Sequence, residues 1–374
     1  MRQIHDLAEI ARLFFRMGCI AFGGPAAHIA LMEVEVVRKR NWISHAHFLD
    51  LIGATNLIPG PNSTEMAMHC GQERAGWKGL VVAGVCFIFP SVVITSGFAW
   101  LYQLYGNLPQ VQPFLYGINA AVVALIVSAL IPLAKKAVKS TELAMLGVAT
   151  IVACLSGVNE LAALFGCGFV GVLLYLVKTY GRNRTNLFSG VLMQILAMTA
   201  SEMNLAIFRV FFKVGCLLYG SGYVLFAFLD AELVQTHVLS RTVLTDAIAV
   251  GQFTPGPVLS SATFIGWQLN SLSGALTATV GVFLPSFLFV ALLNPLLPRL
   301  RKSKLMSAFL DAVNVASVAV IVVVCLRMGQ IAIVDWRTGL ILALSLVFVL
   351  RFKSVNAMWI VVGSSLLGYL LTLV

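Results

Sequence analysis

Leu57-Ile58-Pro59-Gly60-Pro61-Asn62-Ser63-Thr64 has a near-copy, Phe253-Thr254-Pro255-Gly256-Pro257-Val258-Leu259-Ser260, in the other half of the chain. Each Pro-Gly-Pro follows a short apolar run and precedes another. Proline removes an amide donor and glycine accepts dihedrals that other residues avoid, so each triplet forces a break between two half-helices. The surroundings give that break its meaning. The 374-residue chain is 59% hydrophobic and 11% charged, with a mean hydropathy of +0.93, whereas an ordinary soluble domain carries roughly 25% charged residues. Runs such as Leu80 to Leu101, Phe114 to Leu133, Leu161 to Val177, Leu272 to Leu293 and Phe309 to Leu326 are each long enough to cross a bilayer. Non-helical backbone at that depth is tolerated only where it is buried in protein or lines a watery cavity, so the two breaks predict a substrate path.

A net charge of +10 raises the question of a nucleic-acid partner, but the basic residues fall in short clusters beside apolar spans. These are Arg38-Lys39-Arg40, Lys135-Lys136-Lys139, Lys178-Arg182-Arg184, Arg299-Arg301-Lys302-Lys304 and Arg351-Lys353. That is the positive-inside pattern of a multi-pass membrane protein, and no nucleic-acid partner is expected. Seven cysteines lie scattered in apolar stretches without a CxxC spacing, which predicts neither a disulfide framework nor a zinc site. Met1 to Ala11 carries charges of both signs and no cleavage-site pattern, so insertion through the first span is expected without a removable signal peptide.

Working outward from the two triplets, the halves align at a near-constant spacing of 195 to 197 residues. Gly18 matches Gly215, Gly23 matches Gly220, Asp50 matches Asp246, Gly71 matches Gly266, Pro90 matches Pro285 and Asn119 matches Asn314. Duplication of this size is a common build for secondary transporters. The expected architecture is an all-α polytopic membrane protein of two inverted repeats, with about ten transmembrane helices plus two re-entrant broken-helix hairpins, from about His47 to Gly71 and from Val243 to Trp267. The repeats are assigned to 1–182 and 203–374, with 183–202 as a linker or short helix. If the Lys135 cluster is cytoplasmic, alternation puts Arg38, Lys178, Arg299 and Arg351 on the same side and the N-terminus outside. The apolar piece Leu187 to Ala200 is too short to span comfortably.

Candidate functional residues gather around the breaks. Arg12 and Arg16 share one face of the first broken span, and their repeat partners are Arg209 and Lys213. Four cations at matched positions have two readings: snorkelling to the headgroups from a span end, or lining an anion route. Gly23, Gly24, Pro25 and His28 in one half, and Gly220, Ser221 and Gly222 in the other, read as close helix packing or as breaks that free amide donors. A helix that restarts after a break presents unpaired N–H groups and the positive end of its dipole, which suits an anion. Asn62, Ser63 and Thr64 follow the first triplet and Ser260 the second, with Thr254 just before it, so these residues are candidates for substrate binding with Pro59, Gly60, Pro61, Pro255, Gly256 and Pro257. Asp50, Glu65 and Asp246 are titratable neighbours, read either as structural partners of Arg16 or Lys213 or as proton-coupling groups. No GxxxxGK[ST], HExxH or GxSxG pattern occurs, so no ATP motor, catalytic metal, cofactor or hydrolase site is expected. A membrane-embedded enzyme acting on lipid headgroups would need a nucleophile with its base or a metal cluster, and no such set stands out. For a dianion, the membrane potential favours outward movement by about 4.6 kcal/mol per 100 mV.

Phe22-Gly23-Gly24-Pro25-Ala26-Ala27-His28-Ile29, Pro59-Gly60-Pro61 with Asn62-Ser63-Thr64, and Thr254-Pro255-Gly256-Pro257 with Phe264-Ile265-Gly266-Trp267 resemble the chromate ion transporter family in its long, two-domain form. The resemblance covers essentially the whole chain. It implies chromate efflux across the bacterial inner membrane and chromate resistance, with sulfate as the similar oxyanion. Transport or channelling of sulfate or another small anion is the alternative. Gly220-Ser221-Gly222 departs from the Gly-Gly-Gly common in that family. The expected partners are the oxyanion, the lipid bilayer and a second copy in a homodimer.

Overall fold

The computed structural model describes residues 2–21, 24–55, 58–106, 108, 111–180, 202–219, 224–293, 304–352 and 357–372, and among these every regular element is helical. The first half runs α1 (Arg2–Ile20), α2 (Gly24–Met32) continuing into a π-helical turn (Glu33–Lys39), α3 (His45–Thr55), α4 (Asn62–Tyr105), α5 (Gln112–Ala137), α6 (Thr141–Leu155) and α7 (Glu160–Tyr180). The second half repeats it with α8 (Glu202–Leu217), α9 (Val224–Leu229) and its π-helical turn (Asp230–Val234), α10 (Arg241–Phe253), a short 3₁₀ turn (Val258–Ser260), α11 (Ser261–Leu293), α12 (Lys304–Ala332), α13 (Trp336–Arg351) and α14 (Ala357–Thr372). The piece Leu187 to Ala200 and the basic cluster from Arg299 to Lys302 lie outside the described residues.

Local chemistry explains the boundaries. Ser140, Ser240 and Asp335 cap α6, α10 and α13, each accepting from the amide three residues on. In α1, Ile10, Leu13, Phe14 and Met17 recur at helical spacing and are buried, while Arg12 and Arg16 occupy the exposed face. Both long helices that follow the Pro-Gly-Pro turns are interrupted. Ala75 and Gly76 (φ 62°) leave helical geometry in α4, and Asn270 and Ser271 (φ 47°) do so in α11. A straight helix would hold Gly71 and Gly79 about 12 Å apart, yet a Cβ on Gly71 would strike the Gly79 carbonyl, and Gly266 and Gly274 show the same approach. Each long helix is therefore a hairpin: a short arm from the Pro-Gly-Pro turn, a reversal, and a long return arm. The expected hairpins, His47 to Gly71 and Val243 to Trp267, turn instead at the Pro-Gly-Pro triplets, and the reversals at Ala75-Gly76 and Asn270-Ser271 follow their ends.

Among the described residues, four helical segments are long and apolar enough to cross a membrane, Asn62–Tyr105, Pro113–Ala137, Val258–Leu292 and Lys304–Gln330, and Thr141–Leu155, Ala162–Val177 and Ala357–Thr372 are shorter apolar helices. On the return arm of α4, Val81, Val85, Phe89 and Val93 form an exposed stripe at four-residue spacing, mirrored by Leu272, Leu276, Val280 and Leu288 on α11. An apolar stripe on the outside is what a lipid-facing helix requires. The protein is a multi-pass membrane protein.

The halves interlock. α1 packs on α4, α8 packs on α11, and α4 and α11 pack on each other. Around them, α13 and α14 of the second half pack on α5 of the first, while α6 and α7 of the first pack on α12 of the second. Each half thus places its last two helices on the other half's central helix. Gly117 and Gly368 allow α5 and α14 to touch backbone to backbone, since a Cβ on Gly368 would lie 2.7 Å from the Gly117 Cα.

The two π-helical turns anchor different charge networks. In the first half Glu33 binds Arg38 (3.1 Å) and faces His45 (3.4 Å), Glu35 binds Lys39 (2.6 Å) and Arg40, and Arg40 reaches Glu9 (3.5 Å). All these groups belong to the first half, and Arg38 is 68% exposed. In the second half Asp230, 1% exposed, takes a two-point contact from Arg241 (2.7 and 3.2 Å). Arg327 on α12 joins Asp230 (3.3 Å) to Glu160 on α7 (2.7 Å) and donates to the Cys154 carbonyl (3.3 Å). Gln235 adds a donor to Glu160 at 3.2 Å. This second network is buried and ties the two halves together.

Candidate functional site

Each Pro-Gly-Pro turn makes a backbone contact with the opposite half. Both glycines have positive φ, 149° at Gly60 and 88° at Gly256, a conformation that only glycine adopts cheaply. The Gly60 amide donates to the Leu218 carbonyl at 2.6 Å, and the Gly256 amide donates to the Ala21 carbonyl at 2.8 Å. Each turn is therefore docked on the end of the opposite half's first helix, and the two bonds are repeat equivalents. Close packing prepares the seats. A Cβ on Gly18 would lie 2.6 Å from the Phe87 carbonyl and 3.0 Å from Pro90, and one on Gly215 would meet Val282 and Pro285 at 2.5 and 3.0 Å.

Side chains around the turns differ. At the second turn the Ser91 hydroxyl donates to the Pro255 carbonyl at 2.6 Å, and Thr95 approaches Ser260 (3.3 Å) and Thr254 (3.5 Å). Ser91, Thr95, Thr254 and Ser260 are all at most 4% exposed. At the first turn, the space beside Gly60 is taken by the Glu65 carboxylate and the Ser286 hydroxyl, which a Cβ there would strike. Glu65, Ser286 and Thr64 are 0% exposed and Ser63 is 3% exposed, with Tyr219 as the neighbouring phenol and Asn62 half-buried. Pro61 precedes α4 and Pro257 the 3₁₀ turn, and neither makes a side-chain cap.

The other expected residues separate into buried and exposed sets. His28 is fully buried, with its ring nitrogen 3.1 Å from the Ala21 carbonyl, the same carbonyl that receives the Gly256 amide. Gly24 (φ 78°) and Pro25 open α2 beside it. Arg12, Arg16 and Arg209 are exposed, and Lys213 binds Glu232 at 2.7 Å. Asp50 is exposed, whereas Asp246 is 2% exposed and accepts from the Tyr102 hydroxyl at 2.6 Å. The expected pairing of Asp246 with Lys213 is thereby corrected: Glu232 lies on the π-helical turn that packs beside α8 and claims the lysine, and Tyr102 from the first half claims the aspartate. Gly23, Gly220, Ser221 and Gly222 lie outside the described residues.

Sequence reasoning missed Ser91, Thr95, Ser286 and Tyr102, all single polar residues inside long apolar runs. One signal was present: Ser91 and Ser286 stand one residue after the matched prolines Pro90 and Pro285. His5, Asp6 and Glu9 bring three ligand atoms within 4.8 Å of one another. Arg74 already binds Asp6 (2.7 Å) and Glu9 (3.3 Å), however, so the trio reads as an ion-pair cluster.

Comparison with known proteins agrees with this duplicated construction. The family model described as chromate transporter matches residues 8–172 and again 205–369. The chain is 30% identical over 374 residues to the chromate transport protein of Cupriavidus metallidurans, covering 97% of this chain and 93% of that one. It is 29% identical to the probable chromate transport protein of Synechococcus elongatus (92% and 90% covered) and 27% identical to the chromate transport protein of Pseudomonas aeruginosa (96% and 90% covered). No solved structure matches it. Two family matches, one on each half and together spanning most of the chain, place this protein in the chromate transporter family.

Proposed function

We propose that the protein is a secondary transporter that exports chromate across the bacterial inner membrane and so confers chromate resistance. The observation that carries this reading is the reciprocal docking of the two turns, Gly60 on Leu218 and Gly256 on Ala21, which seats a broken helix of each half on the other half. Broken helices that meet at a repeat interface are the usual substrate-site construction of secondary transporters. The relatives' names supply the oxyanion.

In this reading the repeats, 1–182 and 203–374 with 183–202 between them, are inverted, with about ten crossings and two re-entrant hairpins. The basic clusters face the cytoplasm. The dianion is drawn in by Arg12, Arg16, Arg209 and Lys213, and backbone amides and hydroxyls at the turns bind it. Gly23, Gly24, Pro25, His28, Gly220, Ser221 and Gly222 are further binding candidates at the breaks, and Asp50, Glu65 and Asp246 are the groups available for proton coupling. The protein acts as a carrier and not as an enzyme. Sulfate has the same shape and charge as chromate, and hydroxyl donors alone discriminate poorly between them, so sulfate or another small anion is the alternative cargo.

Uptake of labelled chromate into proteoliposomes tests the reading. Wild-type protein transports the oxyanion, and Arg16→Ala and Lys213→Ala each lower the initial rate about tenfold, equal to about 1.4 kcal/mol. Absence of transport for chromate, sulfate and every other oxyanion tried rejects it. Reporter enzymes fused after Ser140 and just before Lys304 check the topology, and signals on opposite sides of the membrane exclude the inverted arrangement.

A further inference from the structure

The short arms of the two hairpins differ in a way that bears on how transport is driven. Between the turn and the reversal α4 carries Glu65, His69 and Glu73, whereas the matching stretch of α11, Ser261 to Asn270, holds no titratable side chain. We propose that the short arm of α4 is a proton path, in which Glu65 at the first turn exchanges its proton with water through His69 and Glu73. The inference rests on the transport reading above and deepens it, by singling out Glu65 as the group that couples proton movement to the cargo.

Four-residue spacing puts the three on one face of the arm, each about 6 Å further along the axis. Their burial falls in order: Glu65 is 0% exposed and His69 1%, whereas the Glu73 side chain is 33% exposed. Phe264 and Gln268 match His69 and Glu73 in the other half, and a serine matches Glu65, so duplication alone does not account for the stripe. Hydrogen bonding supplies the independent pointer. Ser286 approaches Glu65, yet neither Glu65 oxygen, Thr64 Oγ1 nor Ser286 Oγ completes a hydrogen bond among the described residues, and Gln72 Oε1 further along the arm is also open. Buried polar atoms left open are costly unless water reaches them.

No cation pairs with Glu65 among the described residues. A carboxyl taken out of water without a cation is stable as the neutral acid, so Glu65 carries a proton in this packing. The same carboxyl fills the space beside Gly60, whose amide docks on Leu218 of the second half. Motion of the halves that undocks this turn changes the surroundings of Glu65, and with them its hold on the proton.

The charged groups around the arm leave the path open at its outer end. Tyr219 of the second half is the titratable neighbour of Glu65, and α11, which packs on α4, contributes none. From α3, His47 lies 3.3 Å from Glu73, and Asp50 is exposed. On α1, Arg12 and Arg16 are exposed and Asp6 and Glu9 hold Arg74, while His28 of α2 meets the return arm at Phe87. Asp246 of α10 is held by Tyr102. Glu9 also reaches Arg40, so the outer end opens beside the Arg38–Arg40 cluster, on the face read above as cytoplasmic.

Proteoliposomes loaded with labelled chromate and a trapped pH-sensitive dye read both fluxes at once. The potential is clamped with valinomycin and equal potassium, in buffer alkaline enough to keep chromate a dianion. Chromate leaving the lumen is expected to draw protons in, and Glu65→Gln is expected to cut the protons moved per chromate at least about tenfold. His69→Ala slows proton entry about tenfold, and added imidazole restores it, which a merely structural role would not allow. Deuterated water slows the wild type and leaves Glu65→Gln unaffected. Apparent Tm in detergent reports folding, and if Glu65→Gln lowers it, the imidazole rescue of His69→Ala decides. Chromate efflux without proton entry in the wild type, an unchanged proton-to-chromate ratio in Glu65→Gln, or no rescue of His69→Ala overturns the assignment while leaving transport itself intact. A wild-type protein that moves no oxyanion rejects the transport reading instead.

Discussion

At the first turn Gly60 is hemmed in by a carboxylate and a hydroxyl, Glu65 and Ser286, whereas at the second Gly256 faces Ser91 and a cluster of hydroxyls with no acid. The backbone bonds at the two places are near-identical, 2.6 Å to Leu218 and 2.8 Å to Ala21. Duplication has kept what the main chain needs, namely the glycine, the flanking prolines and a carbonyl to dock on, and has let the side chains diverge. The charge networks diverge too. The first half's network is self-contained and runs from the exposed Arg38 to the buried Glu35, while the second half's centres on Asp230 and Glu160, both 1% exposed, and reaches across to the other half.

The largest expected effect comes from the second network. Arg327→Ala leaves Glu160, 1% exposed, with Gln235 as its donor and without its cation, while Asp230 keeps Arg241, and is expected to cost about 3 kcal/mol, the lower end for broken buried pairs. Arg38→Ala in the first half, at a 68% exposed pair, is expected to cost about 0–1 kcal/mol. Thermal unfolding in detergent compares them, and equal losses would erase the contrast between the networks. Next comes the glycine pair. Gly60→Ala drives a methyl into Glu65 and Ser286, whereas Gly256→Ala meets Ser91 at 2.9 Å, a hydroxyl that can turn aside. Strain plus overpacking predicts about 3 kcal/mol at Gly60 and about 2 kcal/mol at Gly256. The smallest effect is at the serines. Ser91→Ala removes a 2.6 Å bond to Pro255 and is expected to cost about 1 kcal/mol. Ser286→Ala opens space beside Glu65 and is expected to change the apparent Tm by less than Ser91→Ala does.

Much of the frame was legible in the sequence. The two Pro-Gly-Pro breaks, the glycine break between α1 and α2, and the 195- to 197-residue spacing led to the element order seen here, because prolines and glycines act locally and repeat faithfully. The reversals at Ala75-Gly76 and Asn270-Ser271 were less legible, since only the first contains a glycine and both sit in apolar surroundings. Contacts such as Ser91 with Pro255 or Arg327 with Glu160 were not legible at all. They join residues more than 160 positions apart, and a lone serine or arginine in an apolar run does not announce its partner. The cations at Arg12 and Arg16 were visible from their spacing, but the spacing does not tell which face of α1 meets solvent or lipid.

The exchange of terminal helices also governs how the chain is made. While the ribosome still holds the second half, α5 lacks α13 and α14, the helices that cover its flank. From Ala137 to Trp336 synthesis must continue through about 200 residues, on the order of 10 to 40 seconds at 5 to 20 residues per second. During that interval Gly117 lies bare on α5, awaiting Gly368, and the first half is an unfinished client of the insertion machinery. A chain that ends before α13 keeps α10 and α12 on α5 and leaves the face that carries Gly117 without its partner.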